Sequence, residues 1–313
     1  MTNLRRDNGM PAYGTLRVQG ATLCYKVRGS GPALLLLQGG GGNADACDAL
    51  AAQLDSEHTI VSYDRRGLLR SPADDPKQPL TIAAHAEDAV ALMDELGLGR
   101  ALIFGSSLGA LVGLEMVQRF PARVELLVAH EPTLVGLLSL EGQARVAALR
   151  KEVLEISLRE GARAGLRRLL AGMGVNRDDR EDDCEPPLSS REQSRSTGFL
   201  LVQESRAVDR FKLNLLALGS YASRIVPAFG TASRLCYPAE CAQALAVVLG
   251  QSAVEMPGGH NGYVLRPRAF AEALRDALAQ GRYASQRLQG GRSGIPPAGA
   301  DDAEPMSASE LGA

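Results

Sequence analysis

Hydrophobic and polar positions along this chain change their spacing several times, and each spacing predicts a type of element. Two short alternating runs near the start predict a β-hairpin around Gln19–Gly20. From residue 33 onward, short runs that are apolar throughout alternate with stretches of three- and four-residue apolar spacing, which indicate helices. Strands without a polar face are typical of a parallel sheet covered by helices on both sides. The predicted sheet strands are Ala33–Leu37, His58–Tyr63, Ala101–Phe104, Val124–Ala129, Ile225–Phe229 and Ala253–Met256.

This alternation of strand and helix stops once and then resumes. From about residue 134 to 223 the spacing is helical, a polar stretch is included, and no strand is indicated. We therefore predict a helical lid, residues 134–223, inserted into a core formed by residues 13–133 and 224–283. Residues 1–12 are polar and residues 284–313 are rich in Gly, Pro, Ser and acidic residues, so we expect a disordered arm and a disordered tail.

Composition narrows the class of protein. The 313 residues are 45% hydrophobic and 22% charged, the balance of an ordinary globular protein, and the formal net charge of −2 gives no electrostatic reason to expect nucleic acid or a membrane surface. No apolar run is long enough to span a bilayer, and the first residues lack the apolar core of a signal peptide. The five cysteines form no CxxC pair and the four histidines lack metal-ligand spacing. We expect a cytoplasmic protein that acts on a small molecule without a metal or organic cofactor.

The chemistry is concentrated at one turn. The predicted strand Ala101–Phe104 is followed directly by Gly105-Ser106-Ser107-Leu108-Gly109 and then by a helix, which is the motif G-x-S-x-G between a strand and a helix. Glycines two positions on either side allow a sharp turn that exposes the serine hydroxyl at a helix N-terminus, where developing negative charge is stabilised. The alternative, a dinucleotide-binding turn, is not supported because G-x-G-x-x-G is absent. Ser107 is therefore a candidate nucleophile.

In this strand–turn–helix motif the chain resembles the α/β-hydrolase superfamily, from about Gly14 to Arg282. The resemblance implies a mostly parallel sheet flanked by helices, with an inserted helical lid. It also implies a catalytic histidine in the loop after the last core strand, where this sequence has His260 among glycines. An imidazole titrates near neutral pH and so suits the removal of a serine proton. His58, His85 and His130 fall in or beside predicted strands and helices, and we expect them to be structural.

The acid of the triad departs from the family's common pattern. The strand after the lid, where the family often carries a carboxylate, has none in Val226–Ser233. Some members of the superfamily use an acid from the strand before the lid, and Glu131 ends that strand here. The resemblance thus favours a Ser107–His260–Glu131 triad. The alternative is that Glu131 only caps or salt-bridges the lid hinge, and that Glu240, at a helix start, or no residue at all serves as the acid.

Two backbone amides are expected to bind the oxyanion. One belongs to Leu108, which follows the nucleophile, and the resemblance places the other at Gly40. The family's usual histidine before this loop is replaced by Gln38, which precedes four consecutive glycines. A phosphate-binding loop is not indicated, because no Lys-Ser/Thr follows the glycines.

A third segment, Tyr63–Ser71, resembles the family's D-x-R-G-x-G-x-S motif with Leu69 in place of the second glycine. We interpret Asp64 and Arg66 as residues that fix this loop. The candidate pocket wall, chosen by position alone, consists of Gln38, Leu68, Leu134, Leu137, Leu138 and Tyr221. An apolar wall of this kind is typical of sites for esters, lactones or other hydrophobic carbonyl compounds.

The sequence therefore predicts a serine hydrolase that cleaves an ester or lactone of a small apolar substrate through an acyl-enzyme on Ser107. Two other functions stay open. One is a lyase, cyclase or acyltransferase of secondary metabolism that uses the same triad. The other is a ligand-binding protein on a hydrolase scaffold, because fold alone does not choose among these functions.

Overall fold

The computed structural model describes residues 11–184 and 198–290, with the backbone alone described from 284 onward. Its centre is an eight-stranded sheet with the order β1-β2-β4-β3-β5-β6-β7-β8. The strands β1 to β8 are, in chain order, Ala12–Val18, Ala21–Arg28, Ala33–Leu37, Thr59–Tyr63, Ala101–Ser106, Val124–His130, Ile225–Gly230 and Val254–Met256.

The first two strands form the predicted antiparallel hairpin, and β2 also pairs antiparallel with β4. All remaining pairs are parallel. The predicted mostly parallel sheet is therefore confirmed, with β5 near its centre.

The helices outside the segment between β6 and β7 cover both faces of this sheet. Their bounds are α1 Asp48–Leu54, α2 Ile82–Glu95, α3 Leu108–Arg119, α8 Tyr237–Val248, α9 Gly262–Leu265 and α10 Pro267–Gly290. Alternation along β3 shows how one strand serves two cores: Leu35 and Leu37 belong to the core shared with α2 and α3, whereas Leu34 and Leu36 belong to the core shared with α1 and α10. Each buried leucine contributes roughly 1.5–3 kcal/mol by leaving water.

Between β6 and β7 lies the segment that we call the insertion, residues 134–223. Its described part contains helices and no strand. The bounds are α4 Leu140–Glu160, α5 Ala162–Gly172, a π-helix Leu200–Glu204, α6 Ser205–Arg210 and α7 Leu215–Gly219, with short 3-10 turns at Val135–Leu137 and Ala222–Arg224. Helices α4 and α5 pack against each other.

The chain ends differ in part from the prediction. Helix α10 continues to Gly290, past the boundary expected at residue 284, because the Ala-, Gln-, Arg- and Leu-rich sequence there has high helix propensity. Ala12, assigned to the arm, already pairs with Val27 in the hairpin. The disorder predicted for residues 1–10 and 291–313 falls outside the described residues. Within residues 11–184 and 198–290, no helix is long and apolar enough to cross a bilayer.

Candidate active site

Ser107 lies at the sharp turn between β5 and α3, with φ 54° and ψ −117°. The backbone N–H of Ser107 holds the turn in place by donating to the carbonyl oxygen of His130 at 2.9 Å. Glycine is required nearby because a Cβ at Gly109 would lie 2.0 Å from the carbonyl oxygen of Leu37, and one at Gly105 would lie 2.6 Å from that of Gly109. The sequence G-x-S-x-G thus allows two backbones to approach closely while one side chain projects at the helix N-terminus.

His260 lies in the loop between β8 and α9 and is 4% exposed. Its Nδ1 lies 2.6 Å from Oε2 of Glu131, which is fully buried. A carboxylate can only accept, so Nδ1 carries a proton, and in the neutral imidazole Nε2 is then the nitrogen with the free lone pair. The arrangement brings His260 and Glu131 together in the tautomer that a general base needs.

Glu131 follows the last residue of β6 and has φ 46°, in the left-handed region. Its second oxygen, Oε1, accepts from the backbone N–H of Gly230 at 2.9 Å and from the hydroxyl of Ser233. Burial raises the pKa of Glu131, but the hydrogen bonds and charge of His260, with the Ser233 hydrogen bond, outweigh it and leave the pKa below its usual value. Glu131 is therefore a carboxylate at neutral pH.

The alternative acid lies elsewhere. Glu240, in the first turn of α8, is one-third exposed and forms an ion pair with Arg145 of the insertion at 2.7 Å. Glu240 therefore has the structural role that its position at a helix start allowed. Among the described residues, the carboxylate in contact with His260 is that of Glu131.

The glycine loop after β3 is held by two residues that sequence reasoning missed. Arg65 donates to the carbonyl oxygens of Gln38 and Gly39 at 2.7 and 2.8 Å. Glu204, in the π-helix of the insertion, accepts from the backbone N–H of Gly41 at 2.6 Å and pairs with Arg65 at 2.8 Å. The sequence offered one signal for this contact. The loop after β4 contains two arginines, and only Arg66 matches the family's motif, which leaves Arg65 without an assigned role.

The loop after β4 is fixed as predicted. Asp64 is fully buried and accepts from the backbone N–H of Ala44 and from Nε of Arg70 at 2.9 and 2.8 Å. Arg66 donates to Asp88 of α2 at 2.7 Å. Leu69, which replaces a glycine, has φ 39°.

A cavity of about 990 Å³ opens in front of the serine. Ser107, His260 and both predicted oxyanion residues, Gly40 and Leu108, line its floor. Thr133 also lines it, and its buried hydroxyl has no hydrogen-bond partner among the described residues. The insertion supplies most of the remaining lining. Its contribution includes five arginines and a larger number of apolar side chains, among them Val153, Leu166, Leu169, Leu170, Met173 and Leu200.

The structure corrects the predicted pocket wall. Six residues assigned to it do not line this cavity: Gln38, Leu68, Leu134, Leu137, Leu138 and Tyr221. Leu134 and Leu138 belong to the core shared with α2 and α3, and Leu137 and Tyr221 pack against it. Leu68 is 1% exposed, and Gln38 is fully buried with Nε2 donating to the carbonyl oxygen of Tyr63 at 3.0 Å. These hydrophobic residues near the site are therefore part of the core packing. The cavity wall is formed instead by α4, α5 and the π-helix.

The described residues contain no group of three or more His, Cys, Asp or Glu side chains that would hold a metal ion. Of the remaining histidines, His130 is fully buried beside Phe270, and burial lowers its pKa to about 4. Burial also lowers the pKa of His85 well below its ordinary value. Both are neutral near pH 7.

Comparison with known proteins identifies the family of the chain. A family model described as the alpha/beta hydrolase fold matches residues 32–159. The hydrolase YraK of Bacillus subtilis is 36% identical over 269 residues, which cover 85% of this chain and 95% of YraK. The chain belongs to the α/β-hydrolase family.

Solved structures agree at the level of fold. A thermophilic esterase from Thermogutta terrifontis has a TM-score of 0.62 and 18% identity, and the match covers 88% of this chain and 100% of the esterase chain. The N-acyl homoserine lactone degrading enzyme Est816 has a TM-score of 0.63 and 19% identity, covering 84% of this chain and 99% of its own. With the relationship to YraK, this makes the chain a hydrolase of the α/β-hydrolase fold.

Proposed function

We propose that this α/β-hydrolase cleaves a carboxylic ester or lactone through an acyl-enzyme on Ser107. The observation that carries the proposal is the 2.6 Å contact between Nδ1 of His260 and the buried carboxylate of Glu131. That contact leaves Nε2 as the acceptor, and Nε2 belongs to a residue that lines the same cavity as Ser107. A serine, an oriented imidazole and a buried acid are the three parts that nucleophilic acyl transfer requires.

The reaction follows from these parts. The Ser107 oxygen attacks the substrate carbonyl while Nε2 of His260 takes the hydroxyl proton, and the carboxylate of Glu131 stabilises the imidazolium that forms. Backbone N–H groups of Gly40 and Leu108 bind the oxyanion. His260 then returns the proton to the leaving alkoxide. A water molecule, deprotonated by His260, releases the carboxylic acid and restores the serine.

An ester or lactone suits the walls of the cavity. Leucine, valine and methionine side chains of the insertion line the same cavity as Ser107 and His260 and favour an apolar acyl or alcohol group. The likeness in fold to an esterase and to Est816, the N-acyl homoserine lactone degrading enzyme, supports the same substrate class. No nucleic acid, membrane or cofactor has a part in this mechanism.

Reaction with a fluorophosphonate tests the proposal directly. The purified protein is treated with the reagent, and the adduct is located by peptide mass spectrometry in the wild type and in His260→Ala. We expect rapid labelling of Ser107 that slows at least about a hundredfold in the variant. An unlabelled Ser107, or labelling indifferent to His260, would contradict an activated nucleophile. If Ser107 takes the label, fresh unlabelled enzyme is then offered esters and lactones with and without an added alcohol, which separates hydrolysis from acyl transfer.

A further inference from the structure

A buried ion pair connects the insertion to the glycine loop beside the nucleophile. Arg65 is 2% exposed and Glu204 is fully buried. Oε1 of Glu204 accepts from Nε and from a terminal nitrogen of Arg65 at 3.1 and 2.8 Å. The other carboxylate oxygen, Oε2, faces the glycine loop. The residues lie 139 positions apart in the sequence, so the contact exists only while the insertion is seated on the core.

This pair holds both peptide groups that flank Gly40. Arg65 binds the carbonyl oxygen of Gly39 at 2.8 Å, and that carbonyl shares a planar trans peptide with the N–H of Gly40. Fixing the oxygen therefore aims the N–H in the opposite direction. On the other side of Gly40, the N–H of Gly41 donates to Oε2 of Glu204 at 2.6 Å. With both planes held, the backbone of Gly40 is fixed.

Such restraint matters because four consecutive glycines have more conformational freedom than any other backbone of that length. An oxyanion donor is effective only if it is oriented before the reaction begins. Contact with the insertion adds to the restraint, since a Cβ at Gly40 would lie 2.4 Å from Cδ1 of Leu200. Buried ion pairs are also poor sources of stability, because desolvation offsets their attraction.

We propose that Arg65 and Glu204 are positioning residues that orient the Gly40 amide toward the oxyanion. The inference rests on the proposed acyl-transfer function. It makes the oxyanion site depend on the insertion: the amide is oriented only while Glu204 is in place, so catalysis and seating of the insertion are coupled.

Two conservative variants test this role. Glu204→Gln keeps the shape and removes the charge, and Arg65→Lys keeps the charge and removes the planar fork. The matched controls are Glu152→Gln and Arg168→Lys, because that ion pair, at 2.7 Å, also lies in the insertion but is solvent-exposed and does not line the cavity. Hydrolysis of p-nitrophenyl butyrate is measured, and active sites are counted by complete fluorophosphonate labelling.

We expect kcat per labelled site to fall about 10- to 100-fold in both test variants, with KM changed less than about threefold. A trifluoromethyl ketone, which forms a tetrahedral adduct with serine, should lose affinity by the same factor as kcat/KM. The control variants should match the wild type. Parallel loss of rate and analogue affinity at unchanged KM is a result that a purely structural role does not produce.

The opposite result is equally clear. If Glu204→Gln and Arg65→Lys only reduce the number of labelled sites, and kcat per site stays within about twofold of wild type, the pair is structural and the inference is wrong. Equal losses in the exposed-pair controls would also overturn it. A wild type that neither takes the label nor turns over the ester overturns the proposed function first, and that failure is visible before any variant is made.

Discussion

Ser107 and Glu131 occupy equivalent positions on two adjacent strands. Ser106 and His130 are paired in the parallel register of β5 and β6, and each is the last residue of its strand. The next residue in both cases has a positive φ, 54° at Ser107 and 46° at Glu131. Such backbone is uncommon for residues other than glycine and is concentrated at functional sites. The two turns place the proposed nucleophile and the proposed acid at the same edge of the sheet.

Glu131→Gln should abolish most of the activity. The amide neither stabilises an imidazolium by charge nor requires the Nδ1–H tautomer, and loss of the orienting acid in serine triads costs about 10⁴-fold in kcat. We expect kcat for an ester substrate to fall at least about a thousandfold, with a small change in KM. Steady-state kinetics at pH 7.5 measure both constants.

Glu240→Gln is the matched control, because it removes a carboxylate of the same type from an ion pair at the surface of α8. It should leave kcat within about twofold of wild type, as surface pairs contribute little. A Glu131→Gln enzyme that keeps kcat within a few-fold of wild type would show that another group, or none, serves as the acid.

Ser233→Ala should give a smaller loss. Its hydroxyl donates to Oε1 of Glu131, and the backbone N–H of Gly230 remains as a second donor at 2.9 Å. A hydrogen bond to a charged group is worth roughly 1.5–3 kcal/mol, which corresponds to about 13- to 160-fold in rate. Because the Gly230 N–H remains in place, we expect only part of this loss, a decrease in kcat of about 3- to 30-fold. Kinetics of Ser233→Ala and Ser233→Thr separate loss of the hydroxyl from loss of packing. A loss as large as that of Glu131→Gln would contradict a supporting role.

The sheet and the turn that carries Ser107 were predictable because each has a local signature. Continuous apolar runs such as Ala33–Leu37 bury two faces and so indicate interior parallel strands, and their bounds differ little from the structure. The G-x-S-x-G motif contains its own steric reason in Gly105 and Gly109. Glu131 was favoured by the resemblance to the family and has no local signature, and its contact with His260 joins residues 129 positions apart.

The pocket wall and the ion pair that holds the glycine loop after β3 were not predictable in the same way. Leu134 and Leu138 are as hydrophobic as any cavity residue, but tertiary packing places them in the core. Arg65 and Glu204 have no local pattern, since a buried charge looks like a surface charge until its partner is known. What sequence periodicity misses is which face of the insertion meets the core.

Gly109→Ala should destabilise the fold and not merely the activity. The added Cβ would lie 2.0 Å from the carbonyl oxygen of Leu37, which belongs to a central strand and cannot move aside. Overpacking typically costs about 1–3 kcal/mol, and contact with a backbone that cannot relax places this variant at the upper end of that range. Urea denaturation followed by circular dichroism measures the free energy of unfolding. Gly136→Ala, at a glycine with nothing within 4 Å of its Cβ position, is the control and should change it by less than about 0.5 kcal/mol. Equal stability of the two variants would contradict the close approach of β3 and α3.

The buried histidines predict how stability depends on pH. Neither ring nitrogen of His85 has a hydrogen-bond partner among the described residues, and burial, aided by Arg65 and Arg66, keeps its pKa well below 6.5 in the folded state. As pH falls below 6.5, the unfolded chain takes up a proton that the folded chain refuses, so stability decreases. His130, with a pKa of about 4, adds a second proton in the same direction.

Between pH 7 and pH 5, each of these histidines should lower the free energy of unfolding by about 2 kcal/mol. His85→Leu removes one of the two titrating groups and fills the same apolar space on α2. We therefore expect the variant to lose about 2 kcal/mol less than the wild type over this range, whatever its absolute stability at pH 7. Reversible urea unfolding at half-unit steps of pH measures the slope for both proteins. Identical slopes would mean that His85 binds a proton in the folded protein, and that the helix α2 opens to water where the structure shows it closed.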